Sequence, residues 1–314
     1  MLTINRILYP TDFSKCAGHA LPHTLHLAER CAAELHLLHA LVLHEADPGN
    51  AAFQLPNLDE LYQAIEEQAR RQMDKTVEGH GRLTVKRTQV RGISAAGVIL
   101  DYATENDIDL IVMGTHGRRG LRRLLLGSVA EEVVRLAPCP VLTVPERELK
   151  AGLAADAIER IVVPIDFSQH ARLALTYAND LARIYKATLS VLHIVDEIVY
   201  PDFYPPVIPS GGSISEELRE QSLTRLKSIV AEIDGAEARS DLFVRSGRAV
   251  PEISDFALEQ RADLIVIASH GLTGFSHMLL GSVTEQVIRR VGCPVFTVKS
   301  FGKKLFAENQ AEEL

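Results

Sequence analysis

Hydrophobic positions along the chain form short unbroken runs that alternate with longer stretches of helical period. Residues 4–9 read as a strand closed by Pro10, and Thr11-Asp12-Phe13-Ser14 then turns into a helix reaching about Cys31, with Ser14 as its cap. Strands are predicted at 33–40, 83–90, 110–113 and 141–144, and helices over 58–77, within 92–104 and from Ser128. The run 110–113 is apolar throughout, as expected of a strand buried on both faces. From Ser128 the pattern turns helical, with Val129, Val133, Val134 and Ala137 on one face. Ser128 and Glu131 match a capping box that would fix the helix start.

Strands alternating with helices at this spacing predict a parallel sheet with helices on both faces. Such sheets bind ligands beyond the carboxyl ends of their strands, where the strand order reverses. The two marked ends are Asp12, after the first strand, and Gly114, after the fourth. If those strands are neighbours, both motifs face one crevice. Between the fourth strand and its helix the glycines are spaced as Gly114, two residues, Gly117, nine residues, then Gly127-Ser128. Glycines that let backbone approach a ligand, followed by a helix N-terminus with free N–H groups, suit an anion, most simply a phosphate.

The whole pattern returns. Ile4 maps on Ile158, a shift of 154 residues (158 − 4), which carries INRILYPTDFS onto IERIVVPIDFS and residues 110–144 onto 264–298. Gly117 corresponds to Gly271, Gly127 to Gly281, Ser128 to Ser282 and Cys139-Pro140 to Cys293-Pro294. A period this long indicates two similar globular domains rather than a solenoid. The expected organisation is a domain at 1–147, a linker at 148–157 within a charged, small-residue stretch, a domain at 158–300 and a polar, loose tail at 301–314. The halves differ after the second strand, where the second domain carries Tyr200, Pro201, Phe203, Tyr204, Pro205, Pro206 and Pro209, read as an ordered aromatic loop or lid.

Composition adds bounds. The 314 residues suit two domains, and 46% hydrophobic with 24% charged residues describes an ordinary globular protein. A net charge of −8 argues against nucleic acid as the main partner. The four cysteines form no CxxC pair and read as buried or half-buried free thiols in a reducing compartment. Met1 leads directly into the first strand and no apolar run approaches the ~18 residues of a membrane span. The expectation is a cytoplasmic protein.

The sequence resembles a tandem universal stress protein. The marks are YPTDFS and VPIDFS after the first strands, LLHA and VLHI at the second, and the glycine-rich stretches ending in GSV and CPV. The resemblance implies two α/β domains of the Rossmann-like, adenine nucleotide alpha hydrolase-like type, each a five-stranded parallel sheet with helices on both faces. It also implies pairing through the last strand, in homodimers besides the two fused domains. The glycine spacing belongs to the family's ATP-binding branch, so ATP, with Mg²⁺ a possible companion, is the expected cofactor. By resemblance the first domain would hold it with Pro10, Thr11, Asp12, Ala40, Met113, Gly114, His116, Gly117, Arg118, Gly127, Ser128 and Val129. Phosphates would lie against Gly117, Gly127, Ser128 and Val129, ribose near Gly114, and adenine against Ala40 and Met113. A bare carboxylate repels phosphate, so Asp12 would contact ribose or base, or act through Mg²⁺. In the second domain the matching residues are Pro164, Ile165, Asp166, Ile194, Ile267, Ala268, Gly271, Gly281, Ser282 and Val283. Ala268 replaces the first glycine there, and its methyl would either crowd a ribose or be accommodated.

Simpler readings stand beside these. Each glycine can be a tight turn, each serine a helix cap, and Asp12 or Asp166 a partner for N–H groups of the following helix start. His116 and His270 can brace the turn, while His39 and His193 read as satisfied core histidines. His19, His23 and His26 share a helix face at metal-compatible spacing, but no carboxylate or cysteine completes a set locally, and an exposed face explains them better. Arg118, Arg119, Arg122 and Arg123 can neutralise a triphosphate or form a solvated face. No Walker A lysine follows a glycine loop. The expected function is therefore nucleotide-dependent stress-response regulation. A slow ATPase or nucleotidyl-transfer enzyme, and a scaffold whose second domain binds a partner or apolar ligand, are the alternatives.

Overall fold

A computed structural model of the chain describes residues 2–42, 58–116, 126–146, 157–195, 212–271 and 280–306. The chain divides into two compact units, Thr3–Glu148 joined by Gly302–Leu305, and one centred on Leu149–Phe301.

The first unit runs β1 (Arg6–Pro10), α1 (Lys15–Cys31), β2 (Glu34–Leu41), α2 (Leu58–Thr76), β3 (Val85–Arg91), α3 (Ala95–Glu105), β4 (Leu110–Gly114), α4 (Ser128–Leu136) and β5 (Val141–Val144). The strands lie in the order β3-β2-β1-β4-β5, all parallel. The chain moves outward from β1 to β3, then returns to the far side of β1, so the order reverses between β1 and β4. Right-handed crossovers place α1 and α2 on one face and α3 and α4 on the other. Helix α3 accordingly packs against α4, and α1 against β4 and β5. Ile7, Leu8, Leu35, Leu37, Leu110, Ile111 and Val112 are fully buried between these layers. Ser14 caps α1 by accepting the Ala17 N–H at 3.1 Å. Asp109 enters β4 nearly solvent-free, where its carboxylate accepts the N–H groups of Asn5 and Arg6 at 2.7 and 2.9 Å.

The second unit repeats this with β6 (Arg160–Pro164), α5 (Gln169–Tyr185), β7 (Thr188–Val195), α6 (Gly212–Ala231), β8 (Ser240–Ser246), α7 (Ala249–Glu259), β9 (Leu264–Ala268), α8 (Ser282–Arg290) and β10 (Val295–Val298). Its parallel order is β8-β7-β6-β9-β10. Ser168 caps α5 through the Ala171 N–H, and Asp263 takes the amides of Glu159 and Arg160 as Asp109 does in the first unit.

Two expectations are corrected. The segment after β10 is not loose over its first residues. The Lys303 N–H donates to the Pro138 carbonyl at 2.7 Å, and Leu305 is buried with its carbonyl accepting the Thr3 N–H at 2.8 Å. The Lys303 ammonium meets both Asp107 and Asp109 at 2.7 Å. Gly302 makes the bend at φ +84°, and a side chain there would strike the Pro138 carbonyl. The histidine face of α1 is not an exposed one either: His23 is buried. Among the described residues no group of three or more His, Cys, Asp or Glu is arranged to hold a metal ion. The four cysteines are free, three of them buried. No helix among the described residues is long and apolar enough to cross a membrane. The Tyr200–Pro209 loop and the arginines at 118, 119, 122 and 123 lie outside the described residues.

Candidate functional site

The reversal point of the first unit opens into a cleft of about 620 Å³ at the carboxyl ends of β1, β2 and β4. That volume lies in the usual range for small-molecule and cofactor sites. Pro10, Thr11 and Asp12 line it from β1 and Ala40 from β2. Met113, Gly114 and His116 line it from the end of β4, and Gly127, Ser128 and Val129 from the start of α4. The structure thus brings ten of the twelve sequence-predicted positions onto one cavity, while Gly117 and Arg118 lie outside the described residues. Sequence reasoning missed the wall supplied by the β3–α3 turn: Ile93, Ser94, Ala95, Ala96 and Ile99. Ile93 is 96% exposed, a large apolar side chain at the lip of the cleft. An apolar residue directly after Gly92 and before the α3 cap Ser94 was the available signal.

The start of α4 differs from the expected capping box. Its N-cap is Gly127, the helix begins at Ser128, and no side chain caps it. The cause is tertiary. The Gly127 N–H donates to the Thr115 carbonyl at 2.8 Å, and a Cβ at Gly127 would stand 3.0 Å from that same oxygen. Backbone-to-backbone contact with the strand end therefore sets the register, and Ser128 becomes the first helical residue. The first-turn amides are left for the cleft, with the positive end of the helix dipole behind them. Val129, expected on the apolar face with Val133 and Val134, is half-buried and turned to the cleft instead.

Gly114 has a structural reason of its own. A Cβ there would meet the Cys16 carbonyl oxygen at 2.8 Å and the Ala17 nitrogen at 3.0 Å. The missing side chain lets the first turn of α1 seat against the end of β4. Asp12 likewise has a local task, since its Oδ1 accepts the Ser14 N–H at 3.0 Å and shapes the turn into α1. His116 Nδ1 lies 2.9 Å from the Thr115 hydroxyl, while its Nε2 is buried without a hydrogen-bond partner among the described residues. Burial lowers the His116 pKa, against a smaller upward pull from Glu146, so the neutral ring is favoured. His39 is satisfied through Nδ1 and the Thr11 carbonyl at 2.7 Å. Tyr9, beneath the cleft floor, donates its hydroxyl to the Ala17 carbonyl at 2.8 Å, and burial pushes its pKa up to about 12.

In the second unit Asp166 Oδ1 accepts the Ser168 N–H at 2.9 Å, and His193 Nδ1 meets the Ile165 carbonyl at 2.7 Å. Gly281 caps α8 without a side-chain bond and donates to the Ser269 carbonyl at 2.8 Å, so Ser282 and Val283 open that helix as Ser128 and Val129 open α4. Pro164, Ile194, Ile267 and Ala268 lie at the ends of their strands. The first-unit counterpart of Gly271, Gly117, lies outside the described residues. A Cβ at Gly271 would collide with the Asp166 carboxylate, which therefore packs directly on that glycine. The Thr284 hydroxyl donates to the Ala268 carbonyl at 2.7 Å. His270 Nδ1 is held by the Ser300 and Ser269 hydroxyls at 2.8 and 3.0 Å.

The sequence profile of the Universal stress protein family matches residues 3–145 and again 157–299. A universal stress protein of Mycolicibacterium smegmatis is 30% identical over 239 residues, covering 75% of this chain and 76% of the relative. One from Methanocaldococcus jannaschii is 36% identical over 143 residues, 45% of this chain and 82% of its own length. Among solved structures, a universal stress protein from Archaeoglobus fulgidus superposes with a TM-score of 0.65 at 23% identity. That likeness covers 95% of this chain and 97% of the other, and supports the fold. Matched almost end to end by two copies of one family pattern, the chain belongs to the universal stress protein family as a tandem member.

Proposed function

We propose that the first domain binds ATP in the β1/β4 cleft and that the chain carries one nucleotide, there, as a nucleotide-dependent regulatory protein. The observation that carries this reading is the start of α4, where a glycine caps the helix and free first-turn amides face a cleft of cofactor size. Phosphate oxygens would accept from Ser128 and Val129, adenine would pack on Ala40, Met113 and Ile99, and Asp12 would face the ribose. Asp12 and Glu132 both line the cleft, so Mg²⁺ on the phosphates would offset their charge. The second domain's Asp166, seated on Gly271, sets a negative group where its glycine loop would receive phosphate, and the reading leaves that domain without nucleotide. Occupancy would bias which conformation a protein partner meets. The reading assigns binding and no reaction, and includes self-association of the fusion.

The test uses proline at the first helical position. Gly127 has φ −67° and ψ 148°, which suits a residue preceding proline, and the first helical position tolerates proline because its N–H has no intrahelical partner. Ser128→Pro therefore removes one amide and one hydroxyl donor while keeping the helix, and Ser128→Ala removes the hydroxyl alone. Calorimetric titration should show ATP binding weakened about tenfold or more by Ser128→Pro and less by Ser128→Ala. Adenosine binding should be unchanged by either. Equal ATP affinity in wild type and Ser128→Pro would remove the helix N-terminus from the site.

A further inference from the structure

Directly after the site aspartate both domains hold a phenylalanine in left-handed backbone, Phe13 at φ 61° and Phe167 at φ 65°. This region is costly for a bulky residue. In each case the ring lies on the next strand's histidine: Phe13 on His39 with centroids 4.6 Å apart, Phe167 on His193 at 4.2 Å. The same strained stack is therefore built twice, and what faces it differs. In the second domain Arg225 of α6 sets its guanidinium 4.3 Å from the centre of the Phe167 ring. In the first domain α2 presents Ile65, Gln68, Ala69 and Gln72, and a cavity of about 350 Å³ remains beside Phe13, His39 and Asp12. This cavity lies beside α2 and reaches Ala95 at the start of α3. It shares Asp12, Ala40, Val42 and Ala95 with the nucleotide cleft, while Phe13, His39 and the α2 residues line it alone.

The lining chemistry is that of a cation receptor. An aromatic face attracts a planar cation, Asp12 supplies a carboxylate, and Gln68 and Gln72 supply amide carbonyls to accept N–H bonds. Among the described residues that line it there is no Lys or Arg. We propose that this cavity of the first domain binds a guanidinium group stacked on Phe13, in the way the second domain's own Arg225 occupies Phe167. The guanidinium belongs either to a free small molecule or to an arginine side chain of a peptide. A guanidinium suits this place better than an ammonium because its flat face stacks while its edge donates to the carboxylate.

The full chain, without nucleotide, is titrated by NMR with agmatine, with an arginine-containing tripeptide, and with the citrulline tripeptide as the neutral isostere. Saturable shifts at Phe13, His39 and Gln68 are expected with agmatine or the arginine peptide and not with citrulline. Agmatine binding as well as the peptide or better points to a small molecule, and tighter peptide binding to a protein's arginine. Phe13→Leu should weaken binding about threefold to tenfold. Arg225→Ala, a change at an exposed side chain, should uncover the Phe167 face and raise the stoichiometry from one to two. Absence of saturable binding in wild type, equal binding of citrulline, or stoichiometry unchanged in Arg225→Ala would overturn the proposal. The nucleotide reading is untouched by any of these, since no nucleotide is present.

Discussion

The two halves of the chain share the Asp-Phe-Ser turn, the glycine-capped late helix and the parallel sheet, yet their strand ends are finished differently. In the first half the end of β4 is Gly114, tight against the α1 backbone, and the space above it stays open as a cleft. In the second half the corresponding residue is Ala268, whose carbonyl takes the hydroxyl of Thr284 where the first half has Ala130. A duplicated fold thus keeps its backbone frame while side chains at a few strand ends differ between the copies. The Gly114 geometry also revises what Ala268 means. A methyl built on Gly114 points at Cys16 and Ala17 rather than at a ligand, so this difference concerns helix-to-strand packing first.

The largest expected effect breaks that packing. Gly114→Ala should destabilise the first domain by about 2 kcal/mol, the usual scale for overpacking against backbone, and should reduce nucleotide affinity with it. Ala268→Gly should cost the second domain only about 1 kcal/mol, by backbone entropy. Domain-resolved hydrogen exchange separates the two, and a tolerated Gly114→Ala would show that α1 can shift freely. Next comes the helix start. Where Ser128→Pro weakens ATP about tenfold, Ser282→Pro should leave ATP affinity unchanged by calorimetry. A smaller effect sits at the lip of the cleft: Ile93→Ser should weaken ATP about fivefold without altering thermal stability, because Ile93 is almost fully exposed before binding.

The smallest effect is on pH dependence. His36 is buried in β2 with Nδ1 2.9 Å from the Tyr102 hydroxyl, and burial lowers its pKa despite the opposing pull of Glu34. The unfolded chain then binds a proton that the folded one resists, so this contribution is full above the unfolded histidine pKa of about 6.5. It is lost as pH falls through the folded value. The second domain has Ser190 at the matching place and lacks this term. Denaturant titrations from pH 8 to pH 5 should show the first domain losing stability relative to the second (pH window about that of histidine), and His36→Gln should reduce the slope. An unchanged slope would place the proton elsewhere.

The parallel sheet with alternating helices was legible from strand-length apolar runs between capped helices, while the pairing of β1 with β4, a condition in the sequence reading, came from the structure. The cap at Ser14 was legible for the same local reason. The helical pattern from Ser128 was legible but its cap was not: Ser128 and Glu131 fit a local template, whereas the folded domain caps α4 with Gly127, whose N–H donates to the Thr115 carbonyl. The anchoring of Lys303 was hidden too, since its partners Asp107 and Asp109 lie nearly two hundred residues away. Ile93 could not be assigned to the cleft without knowing that the start of α3 forms one of its walls. The Phe13 cavity needed the structure altogether, because its meaning comes from seeing Arg225 on the other copy of the same ring.

Native mass spectrometry of the intact chain with ATP, in wild type, Ser128→Pro and Ser282→Pro, tests the central claim most directly and reports subunit count in the same spectrum. With ATP held near the wild-type Kd, the account predicts up to one ATP per chain, at equal occupancy in wild type and Ser282→Pro, and a bound fraction several-fold lower in Ser128→Pro. ATP retained by Ser128→Pro and lost from Ser282→Pro, or no ATP on the wild-type chain, would contradict it.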